Sequence, residues 1–153
     1  FVSQNFGAGR LDRVQQAHKT AIQFALRYGG LTAIVFFVCA PWMAAAFTKD
    51  PNVSAVLISY IRIISFGYGM METNRYCGFF LTGLHRPALT TLLHAIRVLV
   101  LLIPLSYLGA HWIGITGVFW GRLFTDILAG TIGLIWVSRV LRFIPRQDNV
   151  TGK

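Results

Sequence analysis

Four long apolar stretches, at roughly 21–47, 53–82, 88–109 and 113–138, dominate the chain, with short polar connectors between them. A helix needs about 20 residues, at about 1.5 Å each, to cross a hydrocarbon core about 30 Å thick, so each stretch predicts one membrane-spanning helix. The connectors carry turn chemistry. Asp50-Pro51 reads as a cap followed by proline in the first helical turn, Gly83 and Pro87 bracket a second turn, and Gly109 and Gly114 frame a third. The pattern predicts an all-α polytopic bundle of four spans joined by three tight hairpins.

Composition agrees with that class. Of the 153 residues, 55% are hydrophobic and 12% charged, and the mean hydropathy is +0.60, which does not suit a soluble globule. An aromatic content of 14% excludes disorder. The net charge of +9 does not point to nucleic acid, because the basic residues sit between apolar runs rather than on a wet face. Membrane lipid is the predicted surrounding.

Lys and Arg should gather in the cytoplasmic connectors. Arg10, Arg13 and Lys19 precede the first span, Arg86 joins the second and third, and Arg139, Arg142, Arg146 and Lys153 follow the fourth; Lys49 alone lies on the other side. This bias predicts cytoplasmic ends and a basic tail over 139–153. Trp42, Tyr107 and Trp112 fall near the outer boundary and Tyr28 and Trp136 near the inner one, as an aromatic belt requires. The opening 1–20, which starts at Phe1 and lacks signal-peptide order, reads as a mid-chain connector. Its Leu11, Val14 and Ala17 recur at spacing three. That spacing fits either a helix lying in the interface, with Arg10, Arg13 and Lys19 toward headgroups, or a solvated basic loop.

No enzyme is legible. Cys39 and Cys77 fall toward opposite ends of neighbouring spans, too far apart for a disulfide. His18, His85, His94 and His111 are scattered, so no metal site is predicted. Neither a phosphate loop nor a nucleophile elbow occurs, and no cofactor is implied.

The chemistry lies in charges inside the spans: Arg62, Glu72, Arg75, Arg97, Arg122 and Asp126. An ionised group in hydrocarbon costs a few kcal/mol and faces a partner or a water-filled cavity. At about 100° per residue, Arg62, Ser65, Tyr68, Gly69, Glu72, Arg75, Tyr76 and Phe79 share one arc of about 140°, with Asn74 off it. Such a stripe is either a cavity wall or a packing seam. Glu72 and Arg75 at i, i+3 and Arg122 and Asp126 at i, i+4 can pair locally, and Arg62 and Arg75 can snorkel. Arg97 calls for an acidic partner or an open cavity. Pro41 and Pro104 free the carbonyls of Phe37 and Val100, and Gly114, Gly117 and Gly121 mark one edge of the last helix for close packing.

The segment Gln4-Asn5-Phe6-Gly7-Ala8-Gly9 resembles the Gln-Asn-x-Gly-Ala-Gly connector of multidrug and toxic compound extrusion (MATE) transporters. Gly83-Leu84-His85-Arg86-Pro87 is similar to that family's Gly-x-Gly-Arg-Pro turn, with His85 in place of the second glycine. Gly114-Ile115-Thr116-Gly117-Val118-Phe119-Trp120 is similar to the start of the last helix of a lobe.

The resemblance implies the last four of twelve helices, with an N-terminal lobe as partner, in the inner membrane. It also implies an antiporter that expels small organic cations and amphipathic drugs by alternating access, in exchange for Na+ or H+. Glu72 is the only acid in the helix where some members keep a coupling carboxylate. Candidate substrate or coupling residues are Glu72, Tyr68, Arg75, Tyr76, Arg97, Asp126 and Arg122. Two other readings stay open. A lipid-linked precursor flippase of the same superfamily would suit Arg62, Arg75, Arg97 and Arg122 outnumbering Glu72 and Asp126 within the spans, and a non-transporting scaffold would use the charges as interhelical pairs only.

Overall fold

A computed structural model of the chain describes residues 1–143; the predicted tail residues Arg146 and Lys153 lie outside them. The described residues form helices α1 (Val2–Gly7), α2 (Leu11–Phe47), α3 (Pro51–Ser65), α4 (Tyr68–Gly83), α5 (Pro87–Ala95), a π-helical segment (Ile96–Leu102), α6 (Ile103–Ile113) and α7 (Ile115–Phe143). Three helical stretches, Leu11–Phe47, Pro87–Ile113 and Ile115–Phe143, are each long and apolar enough to cross a membrane. The pair α3 and α4, bent by 53°, makes a fourth span if it is taken as one broken element.

The opening differs from both sequence readings. The break in the chain falls at Gly9, whose φ of +70° lies in the left-handed region that glycine tolerates best, and α2 starts at Leu11 rather than near residue 21. Asn5 is buried, its Nδ2 donates to the Phe1 carbonyl at 2.9 Å, and its own carbonyl accepts the Arg10 amide at 2.8 Å. Leu11 and Val14 turn into the bundle. Val14 joins Cys77, Phe80, Leu81, Leu84, Leu93, Val137 and Leu141 in one apolar cluster. The face spaced at three therefore meets protein, not lipid or water, while Arg10, Arg13 and Lys19 stay exposed.

The connectors follow their residues. Asp50 caps α3 by accepting the Asn52 amide at 2.9 Å, with Pro51 in the first turn. At the next turn His85 takes φ +58° where the family pattern has glycine, and its ring lies 5.9 Å from that of Phe6. Arg86 is exposed ahead of Pro87, which begins α5. A Cβ on Gly83 would meet Val2 at 2.8 Å, so α1 docks closely on this corner. Gln4, Gly7 and Ala8 are exposed on α1 and its C-terminal end. The motif residues thus act as turn and docking elements.

The third connector is corrected. Gly109 lies within α6, not in the turn, and Gly114, with φ +67°, is the turn residue rather than part of a packing edge. Gly109 and Gly117 meet backbone to backbone, and a Cβ on either would overlap the other. A Cβ on Gly121 would lie 2.6 Å from the Leu105 carbonyl. With no apolar gain between helices in lipid, this close approach is what holds α6 to α7. The last helix also runs on to Phe143, so Arg139 and Arg142 stand on α7 rather than in a tail. Trp42, Tyr107 and Trp112 point outward, and Tyr28 is half exposed.

Gly117→Leu should therefore separate α6 from α7 and cost about 2 kcal/mol. Thermal unfolding in detergent should show a lower midpoint for it, whereas Gly30→Ala, where a Cβ would enter open space, should leave the midpoint unchanged or slightly raised.

Candidate functional site

The continuous stripe expected on the second span does not exist, because the helix breaks at Phe66-Gly67. Ser65 donates to the Arg62 carbonyl at 2.9 Å, a back-bond that bends helices, and Gly67 donates to Ile64 at 2.9 Å in a tight turn. A Cβ on Gly67 would lie 3.2 Å from Leu123 and 3.5 Å from the Cβ of Asp126. The break is therefore seated against α7, at its acidic residue.

A second irregularity reaches the same residue. Pro104 cannot donate to Val100 and its ring crowds that carbonyl; the wider Ile96–Leu102 π segment directly before α6 accommodates it. This segment carries Arg97, whose Nη2 donates to Asp126 Oδ1 at 2.6 Å. Arg122 Nε stands 3.6 Å from Asp126 Oδ2. The local i, i+4 pair expected from sequence is thus the weaker contact, and the interhelical one is the hydrogen bond. Asp126 is 1% exposed, and its charge is matched by two guanidinium groups on partly exposed side chains. The trio carries one net positive charge.

Glu72 is also buried, on α4, and is hydrogen-bonded to Arg75 one turn on. The Arg75 side chain is 57% exposed, so this partner is held from one side only. Tyr68 begins α4 and packs edge-on against Phe36 of α2 at 5.5 Å. Tyr76 lies edge-on to Phe79 at 6.4 Å and, with Phe1, Arg13, Gln16, Thr20 and Phe24, lines a cleft of about 740 Å³. One part of the former stripe is a seam, since a Cβ on Gly29 would overlap the backbone of Gly69. Another part is a cavity wall.

Arg62 is partly buried. Its guanidinium sits over the Phe37 ring at 5.0 Å, and its buried Nε has no hydrogen-bond partner among the described residues. Phe37 and Phe66, 5.7 Å apart, line a second, apolar cleft of about 440 Å³ with Leu26, Gly29, Gly30 and Ala33. The break in the second span thus forms one wall of a pocket, and Arg62 stacks on one of its lining rings.

Sequence reasoning missed Asn74. Fully buried, it donates from Nδ2 to the Ala129 carbonyl at 2.9 Å and ties α4 to α7. Thr90 similarly ties α5 to α4 by donating to Gly78 at 3.0 Å. The available signal was the presence of an amide inside an apolar run, where an unpaired polar group is costly. No group of three or more possible metal ligands occurs among the described residues.

Asp126→Asn should leave two guanidinium groups without a counter-charge and lower stability by about 3 kcal/mol. Combining it with Arg97→Gln should cost less than the sum of the two changes, with a coupling of about 1 kcal/mol or more in a double-mutant cycle. Denaturation in mixed micelles measures it, and strict additivity would mean that the 2.6 Å contact carries no net energy.

The MatE family model matches residues 1–108. The FAD transporter of Shewanella oneidensis is 30% identical over 130 residues, which is 85% of this chain and 29% of that protein. Among solved structures, the Vibrio cholerae MATE transporter VcmN in its bent form superposes with a TM-score of 0.88 at 27% identity, over 92% of this chain and 32% of that one. The MATE transporter ClbM in complex with Rb+ superposes at 0.84 and 26% identity, over 92% and 34%. An inward-facing multidrug resistance MATE transporter shares the fold at 0.90 and 18% identity, over 97% and 35%. The chain thus spans about a third of the length of the proteins it matches. On the family match over most of its length and these helical superpositions, the chain belongs to the MATE family of membrane transporters.

Proposed function

We propose that this chain forms part of a secondary active antiporter that exports cationic or amphipathic organic compounds in exchange for Na+ or H+ by alternating access, with both ends on the cytoplasmic side of the inner membrane. The observation that carries this reading is the convergence of a broken helix, a π segment and a buried carboxylate paired with two arginines at Asp126. Discontinuous helices near the membrane midplane are where transporters bind substrates and ions. Glu72 is the coupling residue. Its exposed partner Arg75 can leave it at small cost, whereas Asp126 is held by arginines on two helices. The bound Rb+ in ClbM supports a monovalent cation as the coupling species. The apolar cleft at Phe37 and Phe66 suits the flat apolar part of a substrate.

A second reading has its own support. The span arginines Arg62, Arg75, Arg97 and Arg122 outnumber the acids Glu72 and Asp126, and Arg62, stacked on the Phe37 ring that lines that cleft, suits an anionic pyrophosphate. The relative from Shewanella oneidensis is named as an FAD transporter. On this reading the substrate is a flat dinucleotide, and a lipid-linked pyrophosphate would share the headgroup chemistry.

Proteoliposomes containing the full-length transporter separate these readings. A fluorescent organic cation should leave under an imposed Na+ or H+ gradient, and Glu72→Gln should reduce that efflux about tenfold or more. Undiminished efflux in Glu72→Gln would return this residue to a structural role. Movement of FAD but not of the cation, lost in Arg62→Gln, would establish the second reading.

A further inference from the structure

The basic end of α7 holds a slot that the transport site does not use. Leu134, Ile135, Ser138, Arg139 and Arg142 line a cleft of about 280 Å³. Arg139 and Arg142 are exposed and spaced i, i+3, so both guanidinium groups project from one face. Neither has an ion pair or hydrogen bond among the described residues. Arg75, Arg97 and Arg122, by contrast, each have a carboxylate partner.

Depth identifies the occupant. α7 has 29 residues and is about 43 Å long, close to the thickness of a bilayer with its headgroups, about 40–45 Å. Centred at Ala129, it places Leu134 and Ile135 about 8 Å from the midplane, Arg139 at about 15 Å and Arg142 at about 20 Å. The lower half of the slot is therefore apolar at hydrocarbon depth, and its upper half is doubly cationic at the depth of phosphate. Ser138 adds a hydroxyl between the two halves. A soluble anion would leave the apolar half unfilled, and a neutral lipid would leave the arginines without a net negative partner.

We infer that the slot at Leu134, Ile135, Ser138, Arg139 and Arg142 is a binding site for one anionic phospholipid, with its phosphate between the two arginines and an acyl chain along Leu134 and Ile135. Attraction near a membrane surface is worth about 1 kcal/mol for each basic residue, so losing both should weaken retention about 30-fold. The inference does not depend on the identity of the substrate.

The test uses the full-length transporter, reconstituted in mixed phosphatidylcholine and phosphatidylglycerol liposomes, extracted, and examined by native mass spectrometry. The parent should retain phosphatidylglycerol in preference to phosphatidylcholine. Arg139→Gln/Arg142→Gln should lose about 30-fold of that preference. Ser138→Trp keeps both charges but fills the slot, and it should lose the bound lipid too, while Arg10→Gln, an exposed basic residue outside the slot, should not. If the double variant fails to fold, Ser138→Trp decides. Preference retained in Ser138→Trp, no preference in the parent, or equal loss in Arg10→Gln would each overturn the inference, the second meaning that protein covers the slot.

Discussion

Asp126 is the residue on which the arrangement of the bundle depends. A carboxylate that is 1% exposed in a membrane-spanning helix has no water to neutralise it, so its ionised form requires cations from the protein. Arg97 supplies one from the third span and Arg122 another from the same helix. This requirement fixes α7 in rotation, because the charged face must look toward the π segment. The opposite requirement, close backbone approach, is met at Gly117 and Gly121 against Gly109 and Leu105.

The helical irregularities follow from that arrangement. The π segment ends just before Pro104 and carries Arg97 to the carboxylate. The break at Phe66-Gly67 lets the second span bend around Leu123 and Asp126, where a side chain on Gly67 would crowd both. Backbone groups freed at such breaks survive inside a membrane only when protein or a cavity surrounds them. Here α7 lies on one side and the cleft at Phe37 and Phe66 on the other. The Glu72 and Asp126 sites differ in how they are held: Glu72 pairs with one exposed arginine on its own helix, whereas Asp126 meets arginines from two helical segments.

The two ends of the molecule contrast. At the basic end, α1, the start of α2, the end of α4 and the end of α7 close around Val14, Leu81, Leu84, Val137 and Leu141. The opposite end has no such cluster among the described residues, and its rings Trp42, Tyr107 and Trp112 face outward. A firm cluster at one end and glycine contacts at the other leave the middle layer as the place where side chains, not the overall packing, decide the geometry.

Much of this was legible in the sequence. Run lengths gave the four spans because hydrocarbon thickness fixes how many helical residues are needed, Asp50-Pro51 and Gly83 to Pro87 marked turns, and the three motifs pointed to the family. The paired charges Glu72 and Arg75 were legible because i, i+3 neighbours meet on any helix. What periodicity could not supply was anything that depends on two helices at once. Whether Arg122 or Arg97 holds Asp126 turns on the rotation of α7 against the third span, and Asn74 finds its acceptor 55 positions away. A uniform 100° per residue also concealed the break at Gly67 and the π segment before Pro104, since it assumes an unbroken helix through both. Composition and spacing determined that the chain is a set of membrane helices with charges inside; only the tertiary structure decided which charges meet, because pairing in hydrocarbon is set by distance across helices and not by separation along one.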